Sequence, residues 1–265
     1  MQANTKLINS AKKELIAIQK REGRMERSAV NATTPEWKQK LESKIPPKVY
    51  SGLESAFCKG FSVVFNQGSS IIEKGCNKEN AKADFAVKDY AVQVKGGRRE
   101  LKQLQKGASQ SNLRNLAITA AEGVGLGVLG IGMPDIVLFI GMLLKGIYET
   151  ALSYGYGYES IDDRYLILKM MAASLSTGED WHCLNKEVDD LLAIETVITE
   201  EQFQEQLKAT ASVFAMDMLL LKFIQGLPVV GIIGGAANPA YYNKVMKYVQ
   251  LKYRKRYLMK IVKTD

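Results

Sequence analysis

The chain has 265 residues, 46% of them hydrophobic and 24% charged, which suits one large domain with a sizeable core or one domain with an appendage. Three cysteines (Cys58, Cys76, Cys183) without a C-x-x-C pair, and a single histidine (His182), argue against a disulfide framework and a structural zinc site, so no metal and no cofactor are expected. The formal net charge is +8; of the 36 Lys and Arg, eight fall between residues 244 and 263 with no acid among them, and removing those eight leaves 28 against the 28 Asp and Glu.

The N-terminus (MQANTKLINSAKKELIAIQKREGR) is charged from residue 6 and has no apolar h-region, so it does not read as a secretory signal. A reducing, cytoplasmic compartment is expected, with any membrane met from its inner face. Residues 1 to 44 read as a polar helical arm and linker, the arm carrying a narrow apolar stripe at Ile8, Ala11, Leu15 and Ile18. Residues 45 to 265 read as the main domain. After Pro46 and Pro47 the spacing of Leu53, Phe57, Phe61, Val64 and Phe65 is helical, and that helix is continued towards Ile72. The stretch from Asn80 to Gln110 reads as helix with a break at Gly96 and Gly97.

The centre of the chain is a nearly uncharged stretch in which five glycines (Gly123, Gly125, Gly127, Gly130, Gly132) precede Pro134 and Asp135. Residues 123 to 144 are long enough on paper for a membrane span, but Pro134 and Asp135 argue for two helices meeting at a corner. Pro134 and Asp135 suit the first turn of the second helix, where proline is tolerated and an acid favours the dipole. That helix (Ile136 to Leu144) is apolar around its circumference and is expected to be buried in protein or in lipid. Gly125, Gly127 and Gly130 also spell G-x-G-x-x-G, but no strand precedes it and Pro134 falls where the helix should run, so close helix packing is the better reading.

Tyr154 and Gly155 end the second helix, Ser160 and Asp163 form a capping box for the next, and Thr199 with Gln202 caps another. A second uncharged Gly/Pro corner, Gly226 to Pro239, leads to the last helix, with Asn238 as its cap. The fold class expected is all-α, an irregular helical bundle in which the two Gly/Pro-rich apolar corners pack together.

Three blocks of this sequence resemble the EcsC family. They are the glycine-rich run (Gly125, Gly127, Gly130) ending in Pro134 and Asp135; Tyr154 and Gly155 followed by Asp163 and Arg164; and Pro228, Gly231 and Asn238 followed by Arg254 and Arg256 in a basic terminal helix. The resemblance implies an all-helical protein with no assigned reaction, and a membrane partner such as an ATP-binding-cassette (ABC) transporter. Members often carry His-Phe before the terminal arginines; here Lys252 and Tyr253 stand instead.

Two functional readings follow. In the first the protein is non-enzymatic and peripheral on the inner face of the cell membrane. Its corners pack on the membrane or a membrane partner, and a basic amphipathic helix presents Lys244, Lys247, Arg254 and Lys255 to anionic lipid, opposite a stripe of Tyr242, Val245, Met246, Val249, Tyr253 and Tyr257. Nucleic acid is not expected as a partner, because no binding motif accompanies the charges. The alternative is a hydrolase in which Glu122 and Asp135, carboxylates in apolar surroundings, converge on a buried pocket. Capping by Asp135 and ion pairing by Glu122 account for the same residues without chemistry. Likewise Asp162, Asp163 and Arg164 read as a helix cap with an ion pair, and His182 beside Cys183 does not form a facing pair on a helix.

Overall fold

A computed structural model describes residues 2–31, 43–66, 78–119, 134–194, 196–225 and 237–263. Among these there are nine helices and no strand: α1 (Gln2–Asn31), α2 (Pro47–Asn66), α3 (Lys78–Lys95), α4 (Arg98–Thr119), α5 (Pro134–Ser153), α6 (Ile161–Leu175), α7 (Gly178–Ala193), α8 (Glu200–Gln225) and α9 (Ala237–Lys263). The protein is therefore all-α, as its periodicity implies. The glycine-rich parts of both corners, with Glu122, Gly125, Gly127, Gly130, Pro228 and Gly231, lie outside the described residues, as does the continuation of α2 towards Ile72.

The helix boundaries follow local chemistry. Pro134 and Asp135 open α5. Ser160 caps α6, its Oγ accepting from the Asp163 backbone N–H at 3.1 Å and donating to Asp163 Oδ2 at 2.8 Å. Thr199 and Gln202 complete the reciprocal box at the start of α8, at 2.9 and 3.2 Å. The α3–α4 break is at Gly96, whose φ of +59° suits glycine. Its carbonyl accepts from Ser10 Oγ of α1 at 3.0 Å. The last helix opens at Ala237, one residue ahead of the expected cap Asn238.

The core forms where α5 meets α2, α3, α4 and α9. Ile140, Leu143, Leu144 and Ile147 of α5 are fully buried. The stretch Ile136–Ser153 is apolar and long enough to cross a membrane, and 67% of it is buried inside the protein. A second focus is aromatic: Phe214 of α8 stands 5.5 Å from Phe57, 5.7 Å from Phe61 and 6.3 Å from Phe139. Each buried ring contributes about 2–3 kcal/mol of apolar transfer. Close helix approach occurs at glycines the sequence reading passed over. A Cβ on Gly60 of α2 would lie 2.7 Å from Ile140 Cδ1, and one on Gly146 of α5 would meet the hydroxyl of Tyr242.

Tyr154 and Gly155 terminate α5, with Gly155 at φ +76°. A side chain there is left-handed and strained, and its Cβ would press on the Phe85 ring, which packs edge-on against Tyr257 at 6.2 Å. Gly155→Ala is expected to cost about 1–3 kcal/mol in a denaturant titration. An unchanged midpoint would contradict this account of the corner.

The N-terminal helix lies along the last one. Ile8, Ala11 and Ile18 of the stripe are buried and Leu15 is partly buried against the core, so the stripe packs α1 onto α9, α7, α3 and α4.

Candidate functional site

The last helix departs most from its reading as a solvent-facing basic surface. Its apolar side is buried as expected: Tyr242, Val245, Met246, Val249, Tyr253 and Tyr257 all belong to the core. Its basic side is largely buried as well. Lys252 is 0% exposed and Arg254 4%. Lys255 is half-buried, and of the four residues expected to face lipid only Lys244 and Lys247 are exposed. Lys244 Nζ lies 3.7 Å from Asp217 and donates to the Leu175 carbonyl at 3.3 Å.

The reason is a set of carboxylates brought in from other helices. Glu14 of α1, 2% exposed, accepts from Arg98 Nε of α4 at 2.6 Å and from the Arg254 guanidinium. Two turns further along α1, Glu22 accepts from Lys252 at 2.6 Å and from Lys255 at 2.9 and 3.0 Å. Asp189 of α7 closes the square, accepting from Lys252 at 2.6 Å and Lys255 at 2.9 Å. Two lysines thus share two carboxylates. Burial alone lowers the Lys255 ammonium, but its hydrogen bonds to Asp189 and Glu22 outweigh that and the net shift is upward. Burial pulls the Arg254 guanidinium down from its usual range, against Tyr154 and Glu14, which favour its charge.

This arrangement moves the surface charge. The inward carboxylates are two of the three acids of α1, so its outer face is left basic. Lys6, Lys12, Lys13, Lys20, Arg21, Arg24 and Arg27 are all exposed. At 100° per residue, Lys6, Lys13, Lys20, Arg24 and Arg27 fall within roughly 60° of one another. Ile16 lies at the margin of that arc and is 54% exposed.

Beside the ion pairs is a cleft of about 580 Å³ between α1, α4, the end of α5 and α9. Arg21 and Arg24 enter it from α1, Lys247 and Arg254 from α9, and Tyr154 from the α5 terminus. Among the described residues no Asp or Glu lines it. Burial raises the Tyr154 phenol well above its ordinary value, although Arg254 and Arg21 pull in the opposite direction.

Among the described residues, Asp163, Arg164 and Arg256 of the family-like blocks make capping or ring contacts. Asp163 Oδ2 accepts from Ser160 Oγ, the cap of α6, while Asp162 Oδ1 accepts from the Ile198 N–H at 2.8 Å. Arg164 lies over the Phe65 ring at 5.8 Å, and Arg256 over the Tyr156 ring at 4.2 Å. Burial pushes the Tyr156 phenol up to about 12, with Arg256 opposing it. His182 Nδ1 lies 2.9 Å from Glu26 of α1, and Cys183 is exposed on α7. Asp135 begins α5 and Glu122 lies outside the described residues.

Glu14, Glu22, Asp189, Arg21 and Arg24 were not singled out in the sequence. One signal for two of them was present: Glu14 sits three residues after Ala11 and four before Ile18, and Glu22 four after Ile18, so both carboxylates fall in the apolar stripe. A carboxylate on a buried stripe demands a cation opposite it.

No curated protein and no solved structure matches the chain. The model of the EcsC protein family matches residues 9–258, which takes in α1 with its two buried carboxylates as well as the helices that follow. The chain belongs to the EcsC family.

Proposed function

We propose that this EcsC-family protein is a non-enzymatic, peripheral membrane-associating protein whose contact with anionic lipid is made by the outer face of α1. The observation that carries the reading is the asymmetry of α1: seven exposed Lys and Arg on the outside, Glu14 and Glu22 on the inside. A basic helical face with an apolar margin suits an anionic headgroup layer, where each cation near the surface contributes about 1 kcal/mol. Ile16 and Val30, 54% and 52% exposed, supply apolar side chains at the edge of that face. The terminal helix takes a smaller part in this reading than in the one from sequence, because Arg254 and Lys255 are engaged by Glu14, Glu22 and Asp189.

Flotation with phosphatidylcholine vesicles, with and without phosphatidylserine, tests this. Binding is expected only with the anionic lipid and falls as salt is raised. Reversing Lys13, Lys20 and Arg27 to glutamate lowers partitioning by roughly 100-fold or more, at about 1 kcal/mol per cation removed. Equal binding of the triple variant, or binding to duplex DNA and not to vesicles, would sink the proposal.

A further inference from the structure

The cleft beside the ion pairs has a different chemistry from the outer face of α1. Lys247, Gln250, Leu251 and Arg254 fall at i, i+3, i+4 and i+7, so they form one wall from a single side of α9. Arg21 and Arg24 form the opposing wall from α1. The charge of Arg254 is engaged by Glu14. Among the described residues no carboxylate makes an ion pair with Arg21, Arg24 or Lys247. Arg21 also stands near enough to Arg254 to disfavour its charge. Among the described residues, three cations without an ion-pair partner thus surround one concave space, which leaves a positive potential that an anion relieves.

Size and lining narrow the ligand. At about 580 Å³ the cleft falls within the range of small-molecule sites and exceeds what a bare phosphate occupies. Met25 and Leu251 give it an apolar part. Two guanidinium forks with one ammonium suit the oxygens of a phosphate, which arginine can bind in a bidentate manner. We infer that the cleft binds a phosphorylated group of headgroup size, its phosphate held between Arg21, Arg24 and Lys247 and its uncharged part against Met25 and Leu251. Such a group belongs either to a lipid or to a free phosphorylated metabolite. The inference shares Arg21 and Arg24 with the basic side of α1 but does not involve Lys13, Lys20 or Arg27, so different substitutions test the two readings.

The full chain is titrated with inorganic phosphate, with glycerol 3-phosphate and with phosphatidylcholine vesicles carrying phosphatidic acid, at constant ionic strength. Saturable binding of glycerol 3-phosphate is expected, tighter than inorganic phosphate, with an increase in unfolding temperature. Arg24→Gln with Lys247→Gln weakens it by at least about tenfold per side chain, the scale of a charged hydrogen bond. Both positions are exposed, so the unliganded melt of this variant is expected to match the parent. Lys13→Gln with Lys20→Gln leaves cleft binding unchanged, even where it lowers flotation. Vesicle binding that the Arg24/Lys247 variant loses and the Lys13/Lys20 variant keeps assigns the phosphate to a lipid, and binding of the soluble ester without the vesicles assigns it to a metabolite; either, when tighter than inorganic phosphate, supports the site. No saturable binding of any probe, equal binding by the cleft variant, or no preference over inorganic phosphate would overturn it.

Discussion

Replacing Glu14 with leucine is expected to destabilise the protein by about 3–5 kcal/mol, the scale found when one partner of a buried ion pair is removed. Glu14 receives Arg254 and Arg98 while itself 2% exposed. Once the carboxylate is gone, Arg254 keeps its charge at a site where only 4% of the residue reaches solvent. A buried, unpartnered guanidinium is costly, and α1 is the element that can move to hydrate it. A marginally stable domain has only about 5–15 kcal/mol in total, so the melt shifts by many degrees. Adding Arg254→Leu removes the orphaned charge and is expected to recover much of the loss, because a hydrophobic substitute often matches a buried pair. The measurement is a double-mutant cycle by urea denaturation. Additive effects of the two substitutions would show that the pair does not couple α1 to α9.

Alkaline unfolding is the second large effect. Seven tyrosines (Tyr154, Tyr156, Tyr241, Tyr242, Tyr248, Tyr253 and Tyr257) have phenols raised above the ordinary value of 10, chiefly through burial. Asp217 adds to the rise at Tyr241 and Asp89 at Tyr257, whose hydroxyl donates to Asp89 Oδ1 at 2.5 Å. A raised folded value means the native state retains protons that the unfolded chain gives up. The stabilisation is therefore complete below about pH 10 and is lost as pH rises through the folded values. Lys255 acts in the same direction, its ammonium held above the ordinary value. Each such group steepens the fall by about 1.4 kcal/mol per pH unit. Several of them acting together rival the stability of an ordinary domain. Helical circular dichroism is expected to collapse cooperatively above pH 10, with tyrosinate absorbance appearing in the same transition. Smooth ionisation of these phenols near pH 10 with the helices intact would contradict the burial of α9.

Much of the fold was legible before any coordinates. Helical spacing, the capping boxes at Ser160 and Thr199, Pro134 at the start of α5 and the Gly96 break are local features, and local chemistry determines them. The buried side of α9 was legible too, since 3.6-residue periodicity requires no partner to be known. What the sequence could not supply was the destination of charge. Lys252, Arg254 and Lys255 read as a surface because nothing near them in the chain is acidic; Glu14 and Glu22 lie at least 230 positions away and Asp189 more than 60. Only tertiary packing brought those carboxylates to the lysines and arginine, and in doing so it turned the outside of α1 basic and left Arg21, Arg24 and Lys247 facing a shared cleft. Periodicity states which side chains share a face, whereas pairing energy depends on an approach of a few ångströms between distant helices, a quantity no single stretch of sequence contains.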